Sequence, residues 1–128
     1  MAGYTIKNLN DIDDFAAGVD GADVRFARDH IDSEHLGVSR FRFSASRRTP
    51  FGHRHREQEE VYVVTGGSGR MKLDDKIVDL EQWDVVRVAP EVVRAIEAGP
   101  DGIEYIAVGS DRPKGGDGER LEGFWPTE

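Results

Sequence analysis

Hydrophobic and polar residues alternate along most of the chain between positions 22 and 109, which is the pattern of half-buried β-strands. In LGVSRFRFSA, for example, Phe41 and Phe43 fall on one face of a strand, because side chains two residues apart point the same way. Turn signals such as Asp74-Asp75, Pro90 and Gly99-Pro100 separate runs of about ten residues. This pattern predicts an all-β domain of about eight short antiparallel strands, either a sandwich or a barrel.

The two ends of the chain have a different pattern. Helical spacing of apolar residues is confined to Asn8–Ala17, which predicts one short N-terminal helix. From Ser110 onward, Gly, Asp and Pro dominate, which predicts an irregular tail. The apolar end of the tail, FWPT, is expected to pack on the barrel or on a partner subunit, and a lid over a pocket is the alternative. We therefore divide the chain into an N-terminal segment, a barrel domain and a tail: 1–20, 21–109 and 110–128.

Composition and charge narrow the class of protein. The 128-residue chain has a net charge of -8, a pI near 5.0 and no cysteine. Nucleic acids and anionic membrane surfaces attract basic proteins, so neither is an expected partner. The first residues lack a basic segment followed by an apolar core, and no apolar run reaches the roughly 20 residues of a membrane helix. We expect a cytoplasmic protein.

The stretch FGHRHREQEEVYVVTGG contains a candidate metal site. His53 and His55 share one strand face, and Glu57 and Glu59 keep the same parity if the backbone stays extended. Two imidazoles and the carboxylate of Glu59 form a ligand set that suits iron, manganese, nickel or zinc. The alternative is a polar surface loop, but inward polar groups before an apolar strand need a partner or a ligand.

Four arginines lie close to the histidines in sequence: Arg47, Arg48, Arg54 and Arg56. One interpretation is a solvated basic edge that pairs with Glu57 and Glu60. The other is a positively charged rim that attracts anions to the mouth of a pocket.

The spacing of this stretch resembles the first motif of the cupin superfamily. That motif has His-x-His, three or four residues, a Glu, six residues and a Gly, and His53, His55, Glu59 and Gly66 follow it. The motif's opening Gly is absent, because Arg47 occupies its position, and Gly52 is a candidate for a similar turning role. The resemblance implies a double-stranded β-helix, the cupin jelly-roll barrel, of the small single-domain bacterial type often described as mannose-6-phosphate isomerase-like.

The second cupin motif is matched with departures by EQWDVVRVAPEVVRAIEAG. Trp83 stands where the family has Gly, Asp84 is kept, and Pro90 falls in the turn. The last metal-ligating His of the family corresponds to Arg94. A guanidinium cannot ligate a metal, so two arrangements compete. Arg94 either points inward, pairs with Glu59 and replaces the metal, or turns to solvent and leaves the histidines and Glu59 to bind one.

Three classes of function follow from these alternatives. The first is a metal-dependent enzyme, such as an isomerase, epimerase, dioxygenase or decarboxylase, acting on a small polar molecule. The second is a metal-free module in which Arg94 binds a sugar, acid or phosphate, and the third is a structural or regulatory partner of an enzyme. Tyr62 and Tyr105 are further candidates for ligand contact. We also expect a homodimer that pairs through an outward row such as Tyr62 and Val64, with an inward wall formed by Phe41, Phe43, Val61, Val63 and Val86.

Overall fold

Eight antiparallel strands make up almost all of the regular structure in the computed structural model, which describes residues 3–126. The predicted N-terminal helix is reduced to a single three-residue 3-10 turn, Leu9–Asp11, and a second such turn covers Arg28–His30. Within the described range, no helix is long and apolar enough to cross a membrane. The strands are β1 Ala22–Phe26, β2 Gly37–Phe43, β3 Gly52–His55, β4 Glu60–Leu73, β5 Lys76–Glu81, β6 Val85–Val88, β7 Arg94–Gly109 and β8 Gly118–Leu121.

The long strands β4 and β7 organise the sheet. They pair with each other along most of their length, β2 and β3 pair with the other edge of β7, and β5 and β6 pair with β4. Gly99-Pro100 does not end a strand, contrary to the sequence prediction, and β4 likewise continues through Gly66-Gly67. The register between β4 and β7 shifts near Gly66–Gly69 instead, because an irregularity in the ladder bends a strand without ending it. The all-β prediction is confirmed, with two predicted strand pairs merged into β4 and β7.

The predicted two-residue turn at Asp74-Asp75 is confirmed, because β4 and β5 pair from Leu73 with Lys76. Asp74 has a φ of 54°, the left-handed conformation that tight hairpin turns require. The predicted stop at Pro90 is also confirmed, since β6 ends at Val88.

The core occupies the inner face of the curled sheet. On β4, Tyr62 and Val64 are buried, whereas the neighbouring Val61 and Val63 are only partly buried. The predicted assignment of inward and outward positions on β4 is therefore wrong by one residue, and such a shift places every side chain of the strand on the opposite face. Tyr62 and Val64 cannot form the predicted dimer surface, because they are packed in the core. Phe41, Phe43 and Val86 pack against that core, as predicted.

The tail is less irregular than its composition suggests. Residues Gly118–Leu121 form β8, which pairs with β3 over its whole length. Farther on, the Phe124 ring packs on Lys72, and the Trp125 ring lies 4.8 Å from the guanidinium carbon of Arg48. The apolar end of the tail therefore packs on the sheet of its own chain, which is one of the two placements expected from the sequence.

Candidate metal centre

Both histidines of the motif project from β3 towards the start of β4. The His53 and His55 rings lie 5.1 Å apart and nearly perpendicular, as two-residue spacing on one strand face requires. β3 is held between β7 and β8, so it is not a free loop. The two histidines therefore share a strand face, as the sequence predicts.

The carboxylate beside the histidines is Glu60, not Glu59. Glu59 would share the face of the histidines only if the backbone stayed extended, but residues 56 to 59 lie outside the strands, and the chain bends there before β4 begins at Glu60. Glu59 is left on the outside, where its carboxylate accepts a hydrogen bond from Arg87 at 2.8 Å. The motif tolerates three or four residues before its Glu, and the four-residue spacing would have pointed to Glu60.

Glu60 Oε1 is the point on which the site converges. It lies 3.4 Å from His53 Nε2, 3.3 Å from His55 Nε2 and 3.7 Å from Arg94 Nη2. The Tyr62 hydroxyl donates a hydrogen bond to the same oxygen at 2.8 Å. Burial disfavours the ionised form of Glu60, but the neighbouring His53 and His55 imidazoles outweigh it and hold the pKa well below its usual range. Glu60 is therefore a carboxylate at any working pH.

His55 is held at its other ring nitrogen by a residue that the sequence did not single out. Asp117, in the tail just before β8, lies 2.8 Å from His55 Nδ1 through Oδ1. The amide N–H groups of Glu57 and Gln58 donate to its Oδ2 at 2.7 and 2.9 Å. Burial works against ionisation of Asp117, but these amide bonds and His55 together lower its pKa to about 2. No motif spacing predicts this contact, because it joins residues 62 positions apart.

Arg94 points into the barrel. Its side chain is 1% exposed, and its Nη groups donate to the carbonyl oxygens of Pro90 and Ala89 only at 3.4 Å. Within residues 3–126, its Nε has no hydrogen-bond partner. Of the two orientations expected for the Arg94 side chain, the inward one is observed, with Glu60 in place of Glu59 as the neighbouring carboxylate.

The two tyrosines predicted to contact a ligand occupy different positions. Tyr62 is buried beside the site, where its hydroxyl binds Glu60, and burial together with the Glu60 charge raises its pKa. Tyr105 lies deeper in the core and stacks on Phe41 with ring centroids 4.8 Å apart. Burial raises the Tyr105 pKa too, so neither phenol ionises near neutral pH. Tyr62 belongs to the site through Glu60, and Tyr105 belongs to the packing beneath it.

The arginines near the histidines face outward. Arg54 and Arg56 lie 3.3 Å from Glu119 of β8, and Arg48 donates to Glu97 of β7. Their carboxylate partners are not the Glu57 and Glu60 expected from the sequence. These ion pairs favour the interpretation of a solvated basic edge over that of a positively charged rim around a pocket at the histidines.

The donor set fits a divalent transition metal. One ligand atom from each of His53, His55 and Glu60 can be chosen so that all three lie within 4.8 Å of one another. Metal bonds of about 2.1 Å in tetrahedral geometry would separate the ligand atoms by ~3.4 Å, close to the 3.3 and 3.4 Å from Glu60 to the two imidazoles. His55 Nε2 is buried and, among the described residues, lacks a hydrogen-bond partner, so its lone pair is available to a ligand. Arg94 opposes metal binding, because the positive charge of its guanidinium, 3.7 Å from Glu60, repels a metal cation.

Solved structures with the same architecture identify the fold. A cupin protein from Bacteroides fragilis matches 98% of this chain and 93% of its own, with a TM-score of 0.74 and 23% identity. The chain has the cupin fold. A sugar phosphate isomerase from a cupin superfamily, from Silicibacter pomeroyi, matches over 85% of this chain and 77% of its own, with a TM-score of 0.69 and 18% identity.

A larger cupin-fold enzyme gives a similar match. A variant of B. subtilis oxalate decarboxylase covers 91% of this chain at 21% identity and a TM-score of 0.73, and this chain spans 33% of that protein. No protein-family model matches the sequence, and no match is found among curated proteins. At these identities the cupin fold is shared, and the site residues must be argued from this chain alone.

Proposed function

We propose that the protein binds one divalent transition metal, iron, manganese, nickel or zinc, through His53, His55 and Glu60. The observation that carries this proposal is the state of His55. Its Nδ1 is bound to a buried carboxylate, while its Nε2 is buried, unpaired among the described residues and 3.3 Å from Glu60. Metal-ligating histidines are held in this way, with one nitrogen fixed by an acceptor and the other presented to the ion.

Arg94 would bind an anionic group of a small polar ligand beside the metal. A buried guanidinium normally makes several short hydrogen bonds, whereas the bonds of Arg94 to carbonyl oxygens are both 3.4 Å long. A carboxylate or phosphate oxygen on the ligand would offer a stronger acceptor, in a geometry that guanidinium favours. The position at which cupins carry their last metal-ligating His would then serve the ligand instead of the metal.

Three protein ligands leave coordination positions open, which suits catalysis better than a purely structural role. When bound, the metal would supply Lewis acidity to a polar ligand. Tyr62 would hold Glu60 in place, and Arg94 would orient the ligand's anionic group. Isomerisation or epimerisation is the reaction class we favour, with dioxygenation as the next, and the structural similarity to a sugar phosphate isomerase supports this choice.

A metal-free binding module is the second candidate, and the position of Arg94 favours it. The guanidinium lies 3.7 Å from Glu60 and so supplies positive charge near the place where a metal would lie. In that case Arg94 and the two histidines would be donors to a sugar, acid or phosphate, and Glu60 would orient them. This candidate predicts ligand binding that needs no metal.

We also propose a homodimer, although its surface must differ from the one expected from the sequence. Tyr62 and Val64 are in the core, so the apolar residues left for a contact are those on the outside. Trp83 and Val85, at the start of β6, are 66% and 65% exposed. Sedimentation of the wild type and of Val85→Glu would show whether this edge is used.

Metal content and affinity separate the two candidate functions. The untagged protein would be purified without chelator, analysed for metals, and titrated with Mn²⁺, Fe²⁺, Ni²⁺ and Zn²⁺ beside His53→Ala and Arg94→His. We expect about one metal per chain in the wild type and its loss in His53→Ala. Arg94→His should bind metal at least tenfold more tightly, because a repelling cation becomes a fourth ligand.

Inorganic phosphate is the probe for the alternative. The binding module would be supported if the wild type binds none of the four metal ions but does bind phosphate, and if Arg94→Met loses the phosphate binding. An Arg94→His variant that binds metal no better than the wild type would contradict the view that Arg94 occupies a ligand position.

A further inference from the structure

We infer that Asp117 is a positioning residue that keeps a proton on His55 Nδ1, so that Nε2 is the ring nitrogen left for a ligand beside Glu60. The tail thereby contributes a residue, Asp117, that orients one of the candidate metal ligands. The consequence for metal affinity rests on the proposed function, whereas the effect on His55 does not, and the two can be measured separately.

The placement of Asp117 is enforced by the sheet. Asp117 directly precedes β8, in which Gly118 pairs with His55 and Arg120 pairs with His53. The tail strand therefore runs alongside the histidine strand in fixed register. Asp117 is 4% exposed, so its carboxylate is committed to protein groups and not to solvent.

Counting donors and acceptors determines which ring nitrogen carries the proton. Oδ2 of Asp117 accepts two amide N–H groups, and Oδ1 faces His55 Nδ1 at 2.8 Å. A carboxylate only accepts hydrogen bonds, so His55 Nδ1 must donate. In the neutral imidazole the other nitrogen, Nε2, then carries the lone pair, and Nε2 is the atom that lies 3.3 Å from Glu60 Oε1.

The same carboxylate also shapes the bend that brings Glu60 inward. The two amides that it accepts belong to Glu57 and Gln58, between the end of β3 and the start of β4. Two charge-assisted bonds to successive amides hold these residues out of the extended conformation. Asp117 therefore fixes one candidate ligand directly and a second, Glu60, through the backbone.

Asp117→Asn gives a sharp test, because asparagine has one acceptor and one donor where aspartate has two acceptors. The Glu57 and Gln58 amides need the acceptor, so the Asn NH₂ group should face His55 Nδ1. His55 Nδ1 would then accept, and the proton would move to Nε2. We expect ¹⁵N NMR of the metal-free protein to show a protonated His55 Nδ1 in the wild type, and an unprotonated Nδ1 with the proton on Nε2 in Asp117→Asn.

Zn²⁺ titration is the second measurement. Asp117→Asn should weaken Zn²⁺ binding by about 10–100-fold, the range typical of partners that orient a metal-ligating histidine. The matched control is Asp111→Asn, which alters another tail carboxylate that contacts a histidine. Asp111 lies 3.0 Å from His35 Nδ1 in an exposed position, so Zn²⁺ binding and the His55 tautomer should be unchanged.

The outcomes separate this inference from the proposed function. A tautomer that switches in Asp117→Asn, with a wild type that binds no Zn²⁺, supports the role of Asp117 and overturns the metal site. An Nε2–H tautomer in the wild type overturns the inference, and this measurement needs no variant to fold. A His55 tautomer that is the same in the wild type and Asp117→Asn also overturns it.

Discussion

At the residue scale, Glu60 Oε1 is the atom on which the site depends. Four groups surround it: His53, His55, Tyr62 and Arg94. Its negative charge is balanced by the nearby guanidinium, so the buried set is close to neutral when both imidazoles are neutral. A change at this one oxygen should therefore alter the whole site more than a change at any single neighbour.

Trp83 carries a backbone cost that glycine would not. Its φ is 73°, in the left-handed region, and it stands where the cupin motif has Gly. A non-glycine residue in that region costs about 1–2 kcal/mol. We expect Trp83→Gly to raise the free energy of unfolding by about 0.5–1 kcal/mol in urea denaturation, after the entropy cost of glycine is subtracted.

Trp83→Ala is the control for this change, because it removes the exposed ring but keeps the strain. Alanine should leave the free energy of unfolding unchanged or lower it. If the Gly variant is no more stable than the Ala variant, backbone strain at this position is not the cause.

Glu97 should give the fold part of its pH dependence. Its carboxylate accepts hydrogen bonds from Arg48 and Arg70 at 2.8 and 2.9 Å. Burial acts against ionisation, but these bonds lower the pKa of Glu97 below 4.5. A folded-state pKa below the unfolded one stabilises the protein above pH 4.5, and this stability is lost as the pH falls through the lower value.

Glu97→Gln should therefore reduce the free energy of unfolding by about 1 kcal/mol at pH 7 and by clearly less near pH 3. Urea denaturation at both pH values measures the difference, with the exposed Glu91→Gln as the control. An equal loss at both pH values would mean that packing, not charge, is what Glu97 contributes.

At the scale of elements, the tail and β3 are fitted to each other. A Cβ on Gly52 would lie 2.6 Å from the Phe124 ring and 2.9 Å from Val93, so Gly52 allows close approach of the tail. Its role is space, not the turning role expected from the sequence. The Phe124 side chain, in the tail, thus restricts the first position of β3 to glycine.

Gly52→Ala should lower the free energy of unfolding by about 1–3 kcal/mol, because the Phe124 ring must move. A double-mutant cycle with Phe124→Ala, measured in urea, tests the reason. The loss in the double variant should be clearly smaller than the sum of the two single losses, since removing the ring removes the closest clash and leaves only the one with Val93. Additive losses would show that the Phe124 contact is not responsible.

The strand pattern was readable from alternation, but its facing near the site was not. The bend at residues 56 to 59 changes which positions on β4 share a face with His55. The sequence there is REQE, and none of these residues signals a bend as Gly or Pro would. The bend is held by Asp117, which is about 60 residues away in sequence. For this reason sequence parity placed both histidines on one strand face, as observed, but assigned the carboxylate to Glu59 and the inward wall to Val61 and Val63.

At the scale of the whole molecule, the site is assembled from three parts of the chain. The first motif supplies the histidines and Glu60, the second supplies Arg94, and the tail supplies Asp117. The first two parts resemble cupin motifs, and their residues other than Glu60 were found from sequence. The third has no motif, so it could be found only once β8 was seen to pair with β3.

The central claim is that Glu60, together with the two histidines, forms a metal centre, and a pair of isosteric variants tests it most directly. Glu60→Gln and Glu59→Gln remove the same charge at adjacent positions, one beside the imidazoles and one on the outer face. Titration of both with Mn²⁺ and Zn²⁺ should show about a 100-fold loss of affinity in Glu60→Gln and less than a twofold change in Glu59→Gln. Equal losses in both variants, or a loss confined to Glu59→Gln, would contradict the account.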